Sequence, residues 1–271
     1  MKILICVSGM PHAATTLRFG NLVAGLRPSQ VSLLKVVERE ADETAASEML
    51  QQAQTLLSVP VESIKVRQGK SVPEIIREAC ADQCYDMVVM GASQAGGLAQ
   101  LFWRSSAEKV ADRAPISVLV VKEERPSLQK ILICVGGQQR NPAVVEWGVK
   151  LAQAAQAAVQ MLYVTDPVPG MYSGLGEMEE TLSELLQANT PVARHLRWSA
   201  QYLAEQEVAA AFKVRQGRAA DQILLEAEAG DYDLLIIGAR AEMPLLNELL
   251  MDKVTPQIIA NLPCSTLVVR G

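Results

Sequence analysis

Several features of membrane and nucleic-acid-binding proteins are missing from this sequence of 271 residues. No apolar run approaches the length of about 18 residues that a membrane-spanning helix needs. Basic residues are not in excess, since 25 Lys and Arg stand against 30 Asp and Glu, and this balance disfavours a binder of nucleic acid or of anionic membranes. Aromatic residues make up only 4%, which leaves little material for stacking single-stranded nucleic acid.

The few cysteines and histidines do not form a redox or metal-binding pattern. Three of the five cysteines lie in or beside apolar runs, where Cys acts as a small buried hydrophobe. Cys80 and Cys84 are four residues apart on a predicted helix, the wrong spacing for a C-x-x-C pair. Neither His12 nor His195 lies at a metal-ligand spacing from a cysteine or a carboxylate. We therefore expect no disulfide framework, no metal site and no catalytic residues.

The composition is that of an ordinary globular protein, with 49% hydrophobic and 20% charged residues. The amino-terminal run MKILICVSG has one lysine and no small-residue cleavage pattern, so it indicates a first strand rather than a signal peptide. The sequence therefore predicts a cytoplasmic protein.

What the sequence does contain is an internal duplication. The run KILICVSG (2–9) returns as KILICVGG (130–137), with seven of eight residues identical. A second run, KVRQGKSVPEIIREA, returns 148 residues later as KVRQGRAADQILLEA. Because the matching runs keep their order, the chain is a tandem repeat of one unit. The remaining matches pair YDMVVMGA (85–92) with YDLLIIGA (232–239) and RAPISVLVV (113–121) with NLPCSTLVV (261–269).

The two repeats are separated by a charged stretch that contains proline, as is typical of a linker. We place the first repeat at residues 1–123 and the second at 130–271. The second repeat carries about twenty extra residues, around 167–191. Part of this insert, near 177–187, has an amphipathic helical pattern. The insert is expected to pack over its own domain as a lid or flap, or else to bind a partner or cover the adjacent crevice.

Each repeat alternates short apolar runs with segments of helix length. Strands that are apolar throughout indicate a parallel sheet covered on both faces. The sequence therefore predicts an α/β fold of two tandem doubly wound domains, each a five-stranded parallel sheet with helices on both faces. Such a sheet binds its ligand outside the carboxyl ends of the strands, where the strand order reverses. The closing strands, ISVLVV (116–121) and STLVV (265–269), are apolar edges that we expect to pair with each other or with a second chain.

The repeated runs resemble the universal stress protein family, specifically its tandem two-domain members. The resemblance is carried twice over, in the same order, by KILICVSG, the VRQG entry to a helix, the Asp-hydrophobic-Gly run at 86–91 and the closing AP-ISVLVV. It implies a fold similar to that of adenine nucleotide alpha hydrolases, with the halves packed as a pseudo-dimer. It also implies a non-enzymatic stress-response protein, and many members of the family bind ATP.

The ATP-binding members share a motif, Gly-x2-Gly-x9-Gly-(Ser/Thr), after the fourth strand. Glycines let the backbone approach phosphates, and the following helix offers free N–H groups. In the first repeat Gln94 and Arg104 replace the second and third glycines, and Ser8 stands where the family has an aspartate. We interpret this as a degraded adenine-nucleotide site. Its candidate residues are Ser8, Gly9, Val36, Gly91, Gln94, Gly96, Arg104, Ser105 and Ser106.

The second repeat departs further from the family motif. Gly238 matches the first glycine, but Ala241 replaces the second, and Asp252 and Lys253 replace the closing Gly-Ser. A carboxylate at Asp252 would lie where a triphosphate should bind, and like charges so close repel each other. The position of the family's first-strand aspartate is Gly136. The second repeat is therefore predicted to hold no competent ATP site.

Alternative interpretations remain open. Ser105 and Glu108 also fit a capping box for a short helix predicted at 106–113, and Gly91 fits a simple turn. Because several motif positions are lost, the protein is alternatively a pure interaction scaffold that binds a protein partner and no nucleotide. A remote alternative is an enzyme similar to ATP pyrophosphatases. The runs VSGM (7–10) and CVGG (134–137) faintly resemble the phosphate loop of those enzymes, but they lack its final Asp-Ser.

Overall fold

The structure of the protein is a computed structural model. It describes residues 1–92, 98–136, 141–165, 182–239, 254–261 and 263–271, and of residues 98–105 it describes the backbone alone.

The first repeat alternates strands and helices along its described residues. Pro73 stands in the first turn of α3, where its missing N–H is not needed, and its fixed φ favours the helix start there. The elements are β1 (Lys2–Cys6), α1 (Ala13–Gly25), β2 (Gln30–Val37), a 3-10 turn (Glu40–Asp42), α2 (Glu43–Gln54), β3 (Val61–Gln68), α3 (Val72–Asp82), β4 (Met87–Gly91), α4 (Leu98–Arg113) and β5 (Ser117–Val121).

The second repeat follows the same alternation. Asn141 and Thr190 cap two of its helices, each accepting a hydrogen bond at 3.1 Å from a backbone N–H in the first turn. The elements are β6 (Lys130–Val135), α5 (Pro142–Ala155), β7 (Ala158–Thr165), α6 (Leu182–Gln187), α7 (Pro191–Glu205), β8 (Ala210–Gln216), α8 (Ala219–Gly230), β9 (Leu234–Gly238), α9 (Val254–Ala260) and β10 (Ser265–Val269).

All these strands form one ten-stranded sheet, in the order β3-β2-β1-β4-β5-β10-β9-β6-β7-β8. Within each repeat the neighbouring strands are parallel. The closing strands β5 and β10 pair antiparallel, with Leu119 opposite Leu267. The predicted α/β fold of two doubly wound repeats is confirmed, and so is the pairing of the closing strands with each other.

Helices cover the sheet on both faces, because the crossovers change face where the strand order reverses. The cores of α1, α2, α5 and α7 share one face, and those of α3, α4, α8 and α9 share the other. In β1, Ile3 and Ile5 belong to the first face and Leu4 to the second, and all three are fully buried. Burial of each such side chain contributes roughly 1.5–3 kcal/mol. This two-sided burial explains why the strands are apolar throughout.

The repeated Tyr-Asp pair before the fourth strand of each repeat has a structural role. The Oδ2 of Asp86 accepts a hydrogen bond from the backbone N–H of Lys2 at 2.7 Å. The Oδ2 of Asp233 accepts from the N–H of Lys130 at 2.9 Å in the same way. Each carboxylate thus ties the start of one central strand to the start of its neighbour, at the amino edge of the sheet and away from the strand ends where a ligand would bind.

The part of the insert that is described packs on its own repeat. Helix α6 contacts α7 and the edge strand β8, and its Leu185 is buried in the core. The guanidinium of Arg197 donates hydrogen bonds to the carbonyl oxygens of Leu186 and Ala188, which satisfies the carboxyl end of α6. The predicted face therefore turns inward at Leu185, whereas the start of the amphipathic segment, including Met178, lies outside the described residues.

Helix α4 differs from the sequence prediction. A short helix was expected at 106–113, with Ser105 as its cap, but the helix extends over Leu98–Arg113. The prediction of a capping box was wrong, because Ser105 lies in the helix interior, where the backbone N–H groups already have helical partners.

The same four residue types form different polar contacts in the two repeats. In the second repeat the buried carboxylate of Glu226 accepts from Lys213 (2.7 Å), Arg215 (2.6 Å) and the hydroxyl of Tyr232 (3.1 Å). We call these four residues the Glu226 cluster. In the first repeat, Glu78 at the equivalent position is exposed. The cation equivalent to Arg215, Arg67, pairs instead with Asp82 at 2.9 Å, and about half of each of these two side chains is exposed.

Candidate functional site

A crevice lies outside the carboxyl ends of β1, β2 and β4 in the first repeat. Strand β1 pairs with β2 on one side and with β4 on the other, so the strand order reverses here. The helices that follow β1 and β4, which are α1 and α4, pack on opposite faces of the sheet, and this opens a gap at the ends of the two strands. The described residues that line it are Cys6, Val7, Ser8, Leu34, Lys35, Val36, Val72, Met90 and Gly91.

Most of the lining side chains come from one face of the sheet. Leu34, Val36 and Met90 belong to the core on the α3–α4 face, and so do Cys6 and Val72. Val72 is the first residue of α3, so this helix forms one wall. We call these five residues the apolar slot. Its carboxyl-end rim carries Ser8, two residues beyond the end of β1, and Gly91, the last residue of β4, so the slot combines an apolar floor with a narrow polar rim.

The thiols near the slot are protonated at neutral pH. Burial is the main cause that raises the pKa of Cys6 well above its usual range, and the nearby Cys80 raises it further. Burial also raises the pKa of Cys80, to about 11. Because only a thiolate is a strong nucleophile, Cys6 serves the slot as an apolar surface.

The absence of a side chain at Gly91 is required by packing against α1. A Cβ built on Gly91 would overlap with the hydroxyl oxygen of the buried Thr16. In the second repeat the equivalent glycine, Gly238, faces the methyl group of Val144, at 3.3 Å from an added Cβ. The glycine that ends the fourth strand therefore allows the first helix to pack closely, in addition to any role toward a ligand.

The structure brings three of the predicted site residues together. Ser8, Val36 and Gly91 all line the crevice. Gly9 follows on the chain, and a Cβ added there would meet no atom of the described residues within 4 Å. The remaining candidates lie on α4 or outside the described residues: Arg104, Ser105 and Ser106 are within α4, whereas Gln94 and Gly96 fall in the undescribed stretch 93–97.

Sequence reasoning from strand ends missed the walls and floor of the slot. Cys6, Leu34 and Met90 lie inside strands, and Val72 begins a helix. A signal for the strand residues was present, because alternate residues of a strand share a face. The face could be assigned only once the direction of each crossover was known, as it is in the structure. Lys35 was also missed, since it interrupts an apolar run without belonging to a motif.

The second repeat differs at the equivalent strand ends. Gly136, at the position of Ser8, has a φ of +154°. The ring of Tyr163, at the position of Lys35, lies 3.4 Å from a Cβ built on Gly136. An aromatic ring thus packs where the first repeat has a serine and a lysine. Ala241 and Asp252, on which the prediction for this repeat depends, lie outside the described residues.

The described residues lack the features of two further classes of site. Within them, no helix combines the length and the apolar character needed to cross a membrane. Over the same residues, no group of three or more His, Cys, Asp or Glu side chains is placed to hold a metal ion.

Comparison with known families follows the duplication seen in the fold. The sequence model of the universal stress protein family matches residues 1–122 and again residues 127–270. The chain belongs to the universal stress protein family. It carries two domains of that family in tandem, which accounts for the two halves of the ten-stranded sheet.

Individual relatives are distant in sequence. A universal stress protein of Methanothermobacter thermautotrophicus is 25% identical over 142 residues, which cover 52% of this chain and 95% of the relative. A putative universal stress protein from Pseudomonas aeruginosa matches 99% of this chain and 92% of its own, with 20% identity and a TM-score of 0.71. A universal stress protein from Archaeoglobus fulgidus matches 98% and 96%, with 14% identity and a TM-score of 0.71. These two structures support the fold over nearly the whole chain.

Proposed function

We propose that this universal stress protein binds an adenine nucleotide in the crevice of the first repeat without converting it, and that the second repeat holds no competent nucleotide site. The two domains would span residues 1–123 and 130–271, and the protein would act in the cytoplasm.

The apolar slot is the observation that carries the proposal. Its five side chains offer a narrow apolar surface open at the carboxyl ends of the strands. A purine base buries apolar faces and keeps a polar edge, so it suits a slot with an apolar floor and a polar rim. Gly91 leaves its part of the rim without a side chain, and Ser8 supplies a hydroxyl there.

A contact at the strand ends of the second repeat supports the proposal that this repeat holds no competent nucleotide site. The ring of Tyr163 packs against Gly136, where the first repeat has Ser8 at the rim. The sequence adds a carboxylate, Asp252, at the motif position that should receive a phosphate. Both differences act against an anionic ligand, one by occupying space and one by repulsion.

The chemistry of the described lining supports binding rather than turnover. General acid–base catalysis needs a group whose pKa lies near neutral pH. The described lining residues include no carboxylate and no histidine, and their ionisable side chains are Lys35 and the thiol of Cys6. Its thiol, Cys6, has its pKa raised by burial, which weakens it as a nucleophile.

The test compares two identical residues in the two repeats. Val36 lines the slot, and Val164 occupies the equivalent position in the second repeat and is also partly buried. We expect Val36→Trp to fill the slot and weaken ATP, ADP and AMP binding by at least about tenfold in calorimetry. Val164→Trp is the matched control and should leave the affinity within about twofold, because Val164 lies in the second repeat, away from the slot. A tenfold change in affinity corresponds to about 1.4 kcal/mol.

Bound ligand and turnover are measured separately. Nucleotide released by acid from the purified protein, identified by chromatography, should be an adenine nucleotide. Phosphorus NMR of ATP incubated with the protein should show no new phosphate or pyrophosphate signal. Release of either product would overturn the proposal that the protein binds the nucleotide without converting it. Equal losses of affinity in the two tryptophan variants would overturn the assignment to the first repeat.

A further inference from the structure

Lys35 is the charged residue of the crevice, as far as its lining is described. It lies in β2 between Leu34 and Val36, two residues of the apolar slot on the α3–α4 face. Because successive side chains of a strand point to opposite faces, the side chain of Lys35 lies on the α1–α2 face. The crevice therefore has an apolar side and a cationic side, separated by the ends of the strands.

The second repeat shows where a side chain at this position reaches. Tyr163 replaces Lys35, and its ring lies 3.4 Å from a Cβ built on Gly136. Gly136 is the equivalent of Ser8. In the first repeat this position is Ser8, two residues after the end of β1, and Ser8 lines the same crevice as Lys35. A ligand held in the crevice can therefore contact both residues.

Lys35 lacks the compensation that buried cations usually have. It is partly buried, and among the described residues it makes neither an ion pair nor a side-chain hydrogen bond. Burial lowers the pKa of its ammonium group, with no carboxylate acting in the opposite direction. By contrast, Lys213 and Arg215 in the second repeat have the carboxylate of Glu226 as partner. A cation kept partly out of water without a partner favours an anion that arrives with the ligand.

We propose that Lys35 and Ser8 form an anion-recognition point for a phosphate ester of the ligand, on the α1–α2 side of the strand ends. The base would lie in the apolar slot and the phosphate would pair with Lys35 across the rim. Ser8 fits this role because its neutral hydroxyl can donate a hydrogen bond to a phosphate oxygen. The identity of the base rests on the proposed function, but the anion preference does not.

The test compares a neutral ligand with its phosphate ester. We expect wild-type protein to bind AMP at least about tenfold more tightly than adenosine, the range of a charge-assisted hydrogen bond. Lys35→Gln should remove this preference by weakening AMP about tenfold and leaving adenosine within about twofold. Lys35→Arg should restore it, because it keeps the charge. Lys2→Gln is the matched control, since it also removes one lysine charge, but at the amino end of β1 and away from the crevice.

The outcomes separate this inference from the proposed function. Suppose that AMP binds, and that Lys35→Gln either weakens the binding of AMP and adenosine equally or leaves both unchanged. The proposed anion-recognition point is then wrong, whereas the proposed nucleotide site stands. If adenosine, AMP and ATP all fail to bind, the proposed function is wrong. Calorimetry with inorganic phosphate then decides: binding that Lys35→Gln abolishes supports the inference, and no phosphate binding overturns it. Circular dichroism of each variant confirms that it is folded.

Discussion

The backbone N–H of Lys122 donates a hydrogen bond to the hydroxyl oxygen of Ser265 at 3.2 Å. The equivalent contact in the other half joins Arg270 and Ser117: the backbone N–H of Arg270 donates to the hydroxyl oxygen of Ser117, also at 3.2 Å. Both serines are buried and begin the closing strands. These two backbone N–H groups, one at each end of the β5–β10 junction, therefore find acceptors within the same chain, and the junction has approximate two-fold symmetry.

Loss of these serine contacts should weaken the junction. We expect Ser117→Ala and Ser265→Ala each to lower the free energy of unfolding by about 1–2 kcal/mol, because a buried N–H loses its acceptor. Urea denaturation followed by circular dichroism measures the change. Ser29→Ala is the control, since the partly buried Ser29 hydroxyl makes an exposed hydrogen bond to the nearby carbonyl oxygen of Arg27, and it should stay within about 0.5 kcal/mol. Equal effects of all three variants would contradict the role of the junction.

The Glu226 cluster provides an internal comparison of a buried and an exposed carboxylate. Glu226→Gln leaves Lys213 and Arg215 without their shared charge partner, so we expect a loss of about 2–4 kcal/mol in unfolding free energy. The equivalent change in the first repeat, Glu78→Gln, affects an exposed side chain and should cost less than about 0.5 kcal/mol. A similar loss in both variants would show that the burial of Glu226 adds nothing.

The same carboxylate should make the protein sensitive to acid. Burial by itself raises the pKa of Glu226, but the hydrogen bonds from Lys213 and Arg215 outweigh burial, and the net pKa is lowered. A lowered folded-state pKa gives stability that is fully present above the unfolded pKa of about 4.3 and lost as pH falls through the folded value. The stability gap between wild type and Glu226→Gln should therefore be constant from pH 7 to about 5 and narrow below about 4. A gap that widens in acid would contradict the sign.

The close packing at the end of β4 predicts a rescue experiment. Gly91→Ala places a methyl group against the hydroxyl of Thr16, so it should cost about 1–3 kcal/mol by overpacking. Adding Thr16→Ala removes that oxygen and should recover at least half of the loss, as a double-mutant cycle of unfolding free energies would show. Gly9→Ala, which faces open space among the described residues, should be nearly neutral. Without any recovery in the double variant, Thr16 is not what requires the glycine.

The fold was largely predictable from sequence because its signals are local and occur twice. Apolar runs such as KILIC mark the strands, and the duplication fixes their order. The β5–β10 pairing was one of the two outcomes expected for two apolar edges that each needed covering, the other being a second chain. The length of α4 was not predictable in the same way, since Ser105 and Glu108 imitate a helix start within a longer helix.

The candidate site was predictable only at its rim. Ser8, Val36 and Gly91 were found because they end strands, and strand ends are where ligands bind in such sheets. The slot beneath them depends on which face α3 covers, and this follows from the crossover connections rather than from any run of residues. Lys35 could be recognised only by the absence of a described partner, a property of three-dimensional surroundings.

The antiparallel pairing of β5 with β10 has a consequence for how the molecule meets its surroundings. Every strand of the first repeat points against every strand of the second. The carboxyl ends of the strands in one half therefore lie at the rim opposite to those of the other half. A ligand at the strand ends of the first repeat would thus be separated from the strand ends of the second repeat by the length of the strands.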